Sequence, residues 1–161
     1  MTEPTQNNNH ANQPKPCMAA AKIVTEPLDT FTLPFGGSRL IEASAGTGKT
    51  YTIAGLYIRL LLGHGSTAAL SCEQILVVTF TNAATGELRD RIRKKIQLAY
   101  RCFIGLNVDD ELISQLYNDT PECERAIARK RLDLALKSLD EAAIYTIHGF
   151  CQRILADMAF E

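Results

Sequence analysis

The run Ala43-Ser44-Ala45-Gly46-Thr47-Gly48-Lys49-Thr50 carries two glycines, a lysine and a hydroxyl residue at the spacing GxxxxGK[ST], with Ala43 in place of the first glycine. The chemistry open to such a run is the holding of a nucleoside triphosphate. Gly46 and Gly48 let the backbone turn with no Cβ in the way, so successive amide N–H groups from Gly46 to Thr50 can point at the β-phosphate. A helix beginning at Lys49 adds the partial positive charge of its N-terminus. Lys49 suits the β and γ oxygens, where it neutralises charge without itself being a catalytic residue, and the Thr50 hydroxyl suits a Mg²⁺ ion bridging the same phosphates. The loop fixes the class of ligand and leaves the reaction open.

These roles require a strand, a tight loop and a helix in that order. Residues 39–43 read as a short strand before the loop, and Lys49 to about Gly63 read as the helix after it. A second strand is expected over 75–80, where Ile75-Leu76-Val77-Val78-Thr79-Phe80 is apolar and β-branched throughout, as for a parallel strand covered on both faces. A helix over about 83–101 follows, with Ala84, Leu88, Ile92, Ile96, Ala99 and Phe103 on one stripe. Residues 107–118 read as a weak polar connection with at most a helical turn or two. Thr120-Pro121 then starts a helix with Glu122 and Glu124 at its positive end, and Ala128, Leu132, Ala135, Leu136 and Leu139 form its buried stripe. A third strand is expected over 143–147 and a last amphipathic segment over 150–160. Strands alternating with helices predict an α/β nucleotide-binding architecture, a parallel sheet flanked by helices.

The rest of the chain narrows the setting. Its 161 residues make one domain, and 46% hydrophobic with 22% charged residues is an ordinary globular composition. Seventeen Lys and Arg against eighteen Asp and Glu give a net charge of −1, which excludes a grip on nucleic acid by bulk charge but not by a local basic face. Cysteines at 17, 72, 102, 123 and 151 show no CxxC spacing, so neither a zinc site nor a disulfide framework is expected and the cytoplasm is the expected compartment. The most apolar stretch, around 53–62, is interrupted by Arg59 and falls short of the ~18–20 residues of a membrane span. Residues 1–27 hold four of the six prolines and almost no large apolar side chain, and read as a disordered leader.

Two further blocks matter when taken with the loop. Val77-Val78-Thr79-Phe80-Thr81-Asn82-Ala83-Ala84 ends a strand and opens a helix, and Tyr145-Thr146-Ile147-His148-Gly149-Phe150-Cys151-Gln152-Arg153 does the same. Together the three blocks resemble the N-terminal part of the UvrD/Rep-like superfamily 1 DNA helicases, over about residues 28–161. Within that superfamily they look most like the helicase and nuclease subunit of RecBCD-type enzymes (exonuclease V). Ala for the first loop glycine is common in the superfamily, and the TFTNAA and TIHGFCQR wordings have no reason to accompany a generic phosphate loop.

The resemblance implies a partial RecA-like domain over 28–161 that binds ATP and Mg²⁺ through residues 43–50. It implies 3′ to 5′ unwinding of duplex ends in double-strand break repair, a single-stranded 3′ tail and duplex end as DNA partners, and RecC- and RecD-like subunits beside it, with no membrane. By position, Phe80, Thr81 and Asn82 match one DNA-contacting motif and Thr146, His148 and Gly149 match the next. An aromatic there can stack on a base whatever the sequence. Chemistry alone leaves Phe80 open to a core position, Thr81 and Asn82 to a helix cap, and His148 to a structural role. Six Lys or Arg against two acids between Glu87 and Arg101 could line a DNA track or a solvated helix face with Glu87 paired to Arg91.

Some family features are missing from this stretch. No glutamine lies between Gln13 and Gln74 to read adenine, and no apolar strand ends in Asp-Glu. Asp140-Glu141 follows an amphipathic helix and is assigned no catalytic role. The second RecA-like domain with its arginine fingers, the helical insertion and the nuclease domain are expected beyond Glu161. The alternative is a standalone ATP- or DNA-binding module without turnover.

Overall fold

The computed structural model describes residues 26–42, 46, 48–65 and 68–159. Helix α1 spans Lys49–Leu62 and buries Ala54, Tyr57, Ile58 and Leu61, the stripe that a 3.6-residue period makes. It stops at Gly63, whose φ of 76° lets the His64 N–H reach back to the Arg59 carbonyl. Strand β1 is Val77–Thr79 and helix α2 is Asn82–Phe103. Leu88, Ile92, Ile96, Ala99 and Phe103 of α2 are buried as the spacing predicts, whereas Ala84, in the first turn, is exposed.

The stretch read as a polar connection contains helix α3, Glu111–Asp119, started by the Asp110 carboxylate, which accepts from the Ile113 N–H at 3.1 Å. Leu112, Ile113 and Leu116 fix it to the core. Helix α4, Glu122–Ser138, begins one residue later than expected, because Pro121 serves as its N-cap. Ala128, Leu132 and Ala135 are buried and Leu136 partly so, while Leu139 is buried in the 3₁₀ turn Leu139–Glu141 that follows. Strand β2 is Ile144–Thr146 and helix α5 is Ile147–Ala159, which starts earlier than expected and has no buried residue. Phe160 lies outside the described residues.

β1 and β2 pair in parallel, Val77 opposite Ile144 and Thr79 opposite Thr146. A parallel pair needs a long crossover, and α2, α3 and α4 supply it. α2 is the central helix, packed on α1, α3, α4 and both strands. Two readings of the sheet are corrected. Residues 39–42 form no strand, since a strand needs a ladder partner and Leu40 stands 82% exposed; Ala43 lies outside the described residues. The sheet is also covered on one face only among the described residues, with Leu76, Val78 and Phe80 exposed. A run of apolar residues specifies burial on both faces only where elements exist to cover both. The molecule is a small parallel sheet among helices, as a partial RecA-like domain requires.

Candidate nucleotide and DNA site

The phosphate-loop residues Gly46 and Gly48 have φ of 79° and 85°, left-handed conformations that a side chain would strain. Gly48 is the N-cap of α1, with no side-chain cap and no acid in the first turn. The positive helix end therefore meets no carboxylate of its own. Ala43, Ser44, Ala45 and Thr47 lie outside the described residues.

A cavity of about 460 Å³ opens on this loop, lined by Gly46, Gly48, Lys49, Thr50, Tyr51 and Arg91. Lys49 and Thr50 are the first two residues of α1, so their placement follows from where that helix begins. Arg91 comes from α2. Its Nε and Nη2 both donate to Glu87 Oε1, at 2.9 and 2.8 Å, one turn back on the same helix. Two cations from two helices, a hydroxyl and an uncapped helix end form a donor set for polyphosphate, with Thr50 the residue suited to Mg²⁺. Arg91 was visible in the sequence only as one of six basic residues. Its i,i+4 spacing to Glu87 was legible, but not which face of α2 turns toward α1.

The TFTN and TIHG blocks come together because their strands do. Thr79 and Thr146 are register partners, so Phe80 and Ile147 leave the same end of the sheet side by side. That is the carboxyl end, where parallel α/β sheets place ligands. Phe80 is 86% exposed among the described residues. Thr81 is the cap of α2, its hydroxyl accepting from the Ala84 N–H at 3.1 Å, and Asn82 is the first helical residue, exposed. Thr146 does for α5 what Thr81 does for α2: its hydroxyl accepts from the Gly149 N–H at 3.1 Å. His148 is exposed beside it. An aromatic and an imidazole thus stand open to solvent on two threonine-capped helix starts.

The basic face of α2 is mostly committed to the protein itself. Arg89 donates to the carbonyls of Leu139, Asp140 and Ile144, and Arg93 pairs with Asp140 at 2.6 Å. Lys95 is buried against Asp110 at 2.5 Å. The Glu87–Arg91 pair is present as expected. Asp140 lies in the 3₁₀ turn as the partner of Arg93, away from the phosphate loop's lining. Among the described residues no cluster of His, Cys, Asp or Glu could hold a metal ion by itself, and no helix is long and apolar enough to cross a membrane.

Residues 25–161 match the UvrD/REP helicase N-terminal domain family. The chain belongs to this family. Within it, the chain is similar to the RecBCD enzyme subunit RecB of Escherichia coli K12, 52% identical over 142 residues, which cover 86% of this chain and 12% of that protein. The RecB subunit of Haemophilus influenzae is 46% identical over 147 residues, covering 84% and 12%. That of Mycobacterium tuberculosis H37Rv is 39% identical over 124 residues, covering 76% and 11%. The chain thus spans about an eighth of the length of these relatives, and the matched stretch is the UvrD/REP part that contains the phosphate loop, the TFTN block and the TIHG block.

Proposed function

We propose that this chain is the ATP-binding N-terminal segment of a RecB-like, ATP-dependent 3′ to 5′ DNA helicase and exonuclease subunit, acting in double-strand break repair by homologous recombination. The observation that carries the reading is the cavity lined by Lys49, Thr50 and Arg91 at an uncapped helix start, beside two left-handed glycines. Residues 43–50 hold the triphosphate, Lys49 neutralising the β and γ oxygens and Thr50 holding Mg²⁺. Phe80, Thr81, Asn82, Thr146, His148 and Gly149 form the DNA-facing end, Phe80 stacking on a base and His148 donating to a phosphate.

Residues 28–161 then constitute the first part of the helicase ATP-binding domain, behind a leader of residues 1–27. The partners are a single-stranded 3′ tail and duplex end of DNA and RecC- and RecD-like subunits, in the cytoplasm. Stepping along DNA needs nucleotide to close a cleft between two domains, so this segment binds nucleotide without stepping. Titration of the purified chain with a fluorescent ATP analogue and Mg²⁺ tests the reading. Binding that disappears in Lys49→Ala, with no DNA-stimulated hydrolysis, is the expected result; equal binding by Lys49→Ala, or robust DNA-stimulated turnover by this chain, would overturn it.

A further inference from the structure

Tyr51 follows Lys49 and Thr50 in the first turn of α1 and lines the nucleotide cavity with them, 47% exposed. A half-exposed tyrosine on a helix end ordinarily samples several rotamers. Here two contacts hold it, and a third ties their partners together. The Lys95 ammonium sits 3.7 Å from the ring centroid, over one face. The Tyr51 hydroxyl donates to Asp110 Oδ2 at 3.3 Å, and Lys95 donates to the same oxygen at 2.5 Å. Asp110 is itself fixed, because its other oxygen caps α3 through the Ile113 N–H.

Lys95 and Asp110 are 5% and 7% exposed, so this is a buried ion pair. Such pairs add little net stability beside apolar side chains of similar volume, and their attested use is to fix one arrangement over others. The arrangement fixed here is that of the ring: a cation covers one face and a carboxylate holds the hydroxyl of a residue that lines the cavity. We propose that Lys95 and Asp110 are positioning residues for Tyr51, holding its ring as a rigid wall of the nucleotide cavity and so setting nucleotide affinity from outside the phosphate loop. This rests on the ATP reading above. It ties the cavity to the start of α3, an element that contributes no residue to the cavity's lining.

A double-mutant cycle on the purified chain tests it, read by the Kd of Mg·ATP. Lys95→Met with Asp110→Asn removes the charges together, leaves no buried ion unpaired, and keeps a residue able to cap α3. The pair of substitutions should weaken Mg·ATP binding by about threefold to tenfold, the cost of ordering one side chain on binding. Tyr51→Ala alone should weaken it comparably, and adding the pair to Tyr51→Ala should cause no further loss. Lys95→Arg, which keeps the cation and the ion pair, should retain native affinity. An unchanged Kd in the charge-removed variant, or losses that add fully in the Tyr51→Ala background, overturns the proposal while leaving the Lys49-dependent ATP reading intact. A native chain that binds no nucleotide overturns both.

Discussion

Arg59 donates its Nε–H to Nδ1 of His64 across 3.0 Å, which leaves the imidazole proton on Nε2, 3.0 Å from Asp119 Oδ2. The same guanidinium donates through Nη1 to the carbonyls of Thr30 and Leu33, at 2.9 and 2.7 Å, and stacks on Phe35. One buried arginine therefore holds the segment that leads toward the phosphate loop, and a neutral histidine holds the arginine.

That arrangement gives stability a pH dependence. Burial, and then the Arg59 charge, push His64 below the ordinary imidazole value of 6.5, opposed by Asp119. The unfolded chain then binds the proton more readily than the folded one, so stability is present above 6.5 and is lost as pH falls through 6.5 toward the lowered folded value. The melting temperature should be level above neutrality and decline as pH falls below that point. His64→Gln, which can accept from Arg59 and donate to Asp119 without titrating, should flatten the decline; a decline of the same size in His64→Gln would refute the assignment.

Arg91 reaches the nucleotide cavity from an exposed position, so its removal should separate binding from stability. Arg91→Ala is expected to weaken Mg·ATP binding by about 1.5–3 kcal/mol, the range for a hydrogen bond to a charged group. Thermal unfolding should shift by no more than about 0.5 kcal/mol, since only the exposed Glu87 pair is lost. Calorimetric titration beside a melting curve measures both.

Phe80 calls for the same comparison with DNA as ligand. With the ring 86% exposed, Phe80→Ala should leave the melting temperature nearly unchanged. Affinity for single-stranded oligonucleotide, followed by fluorescence anisotropy, should fall by about 1–3 kcal/mol, the worth of one base stacked on an aromatic.

Arg89 should behave in the opposite way. Its three carbonyl partners join α2 to the turn before β2 and to β2 itself, so Arg89→Met should cost about 1–3 kcal/mol of stability in urea unfolding. The salt dependence of DNA binding should keep its slope, which would fall by about one if Arg89 neutralised a phosphate.

Much of this was legible in the residues, for reasons that can be named. The stripes of α2 and α4 were readable because residues such as Ile92 and Leu132 recur with their neighbours at helical spacing and helices form from local contacts. The αL glycines were readable because Gly46 and Gly48 sit in a pattern that needs them. Residues 39–42 misled because an apolar run shows strand propensity but not whether a ladder partner exists. Residues 107–118 misled because α3 is held by Asp110, whose capping role is common to many loop aspartates and is distinguished here by its contacts with Lys95 and Tyr51, fifteen and fifty-nine residues back. The phosphate loop could be found by its spacing, and the TFTN and TIHG blocks only through their resemblance to a family. Tyr51 and Arg91 became site residues only once α1 and α2 were packed together.

The absence of any buried residue on α5, beside a sheet bare on one face among the described residues, sets that helix apart from α1, α2 and α4. Amide protons of α1, α2 and α4 should exchange only on global opening, whereas those of α5 should exchange through local fraying at almost no free-energy cost. The two ends thus differ in kind: Lys49 and Thr50 stand on a helix anchored in the core, whereas His148 and Gly149 stand on one that buries none of its residues. Under the proposed roles, temperature should therefore move nucleotide and DNA affinities differently, the part of DNA binding that runs through α5 carrying the larger unfavourable entropy.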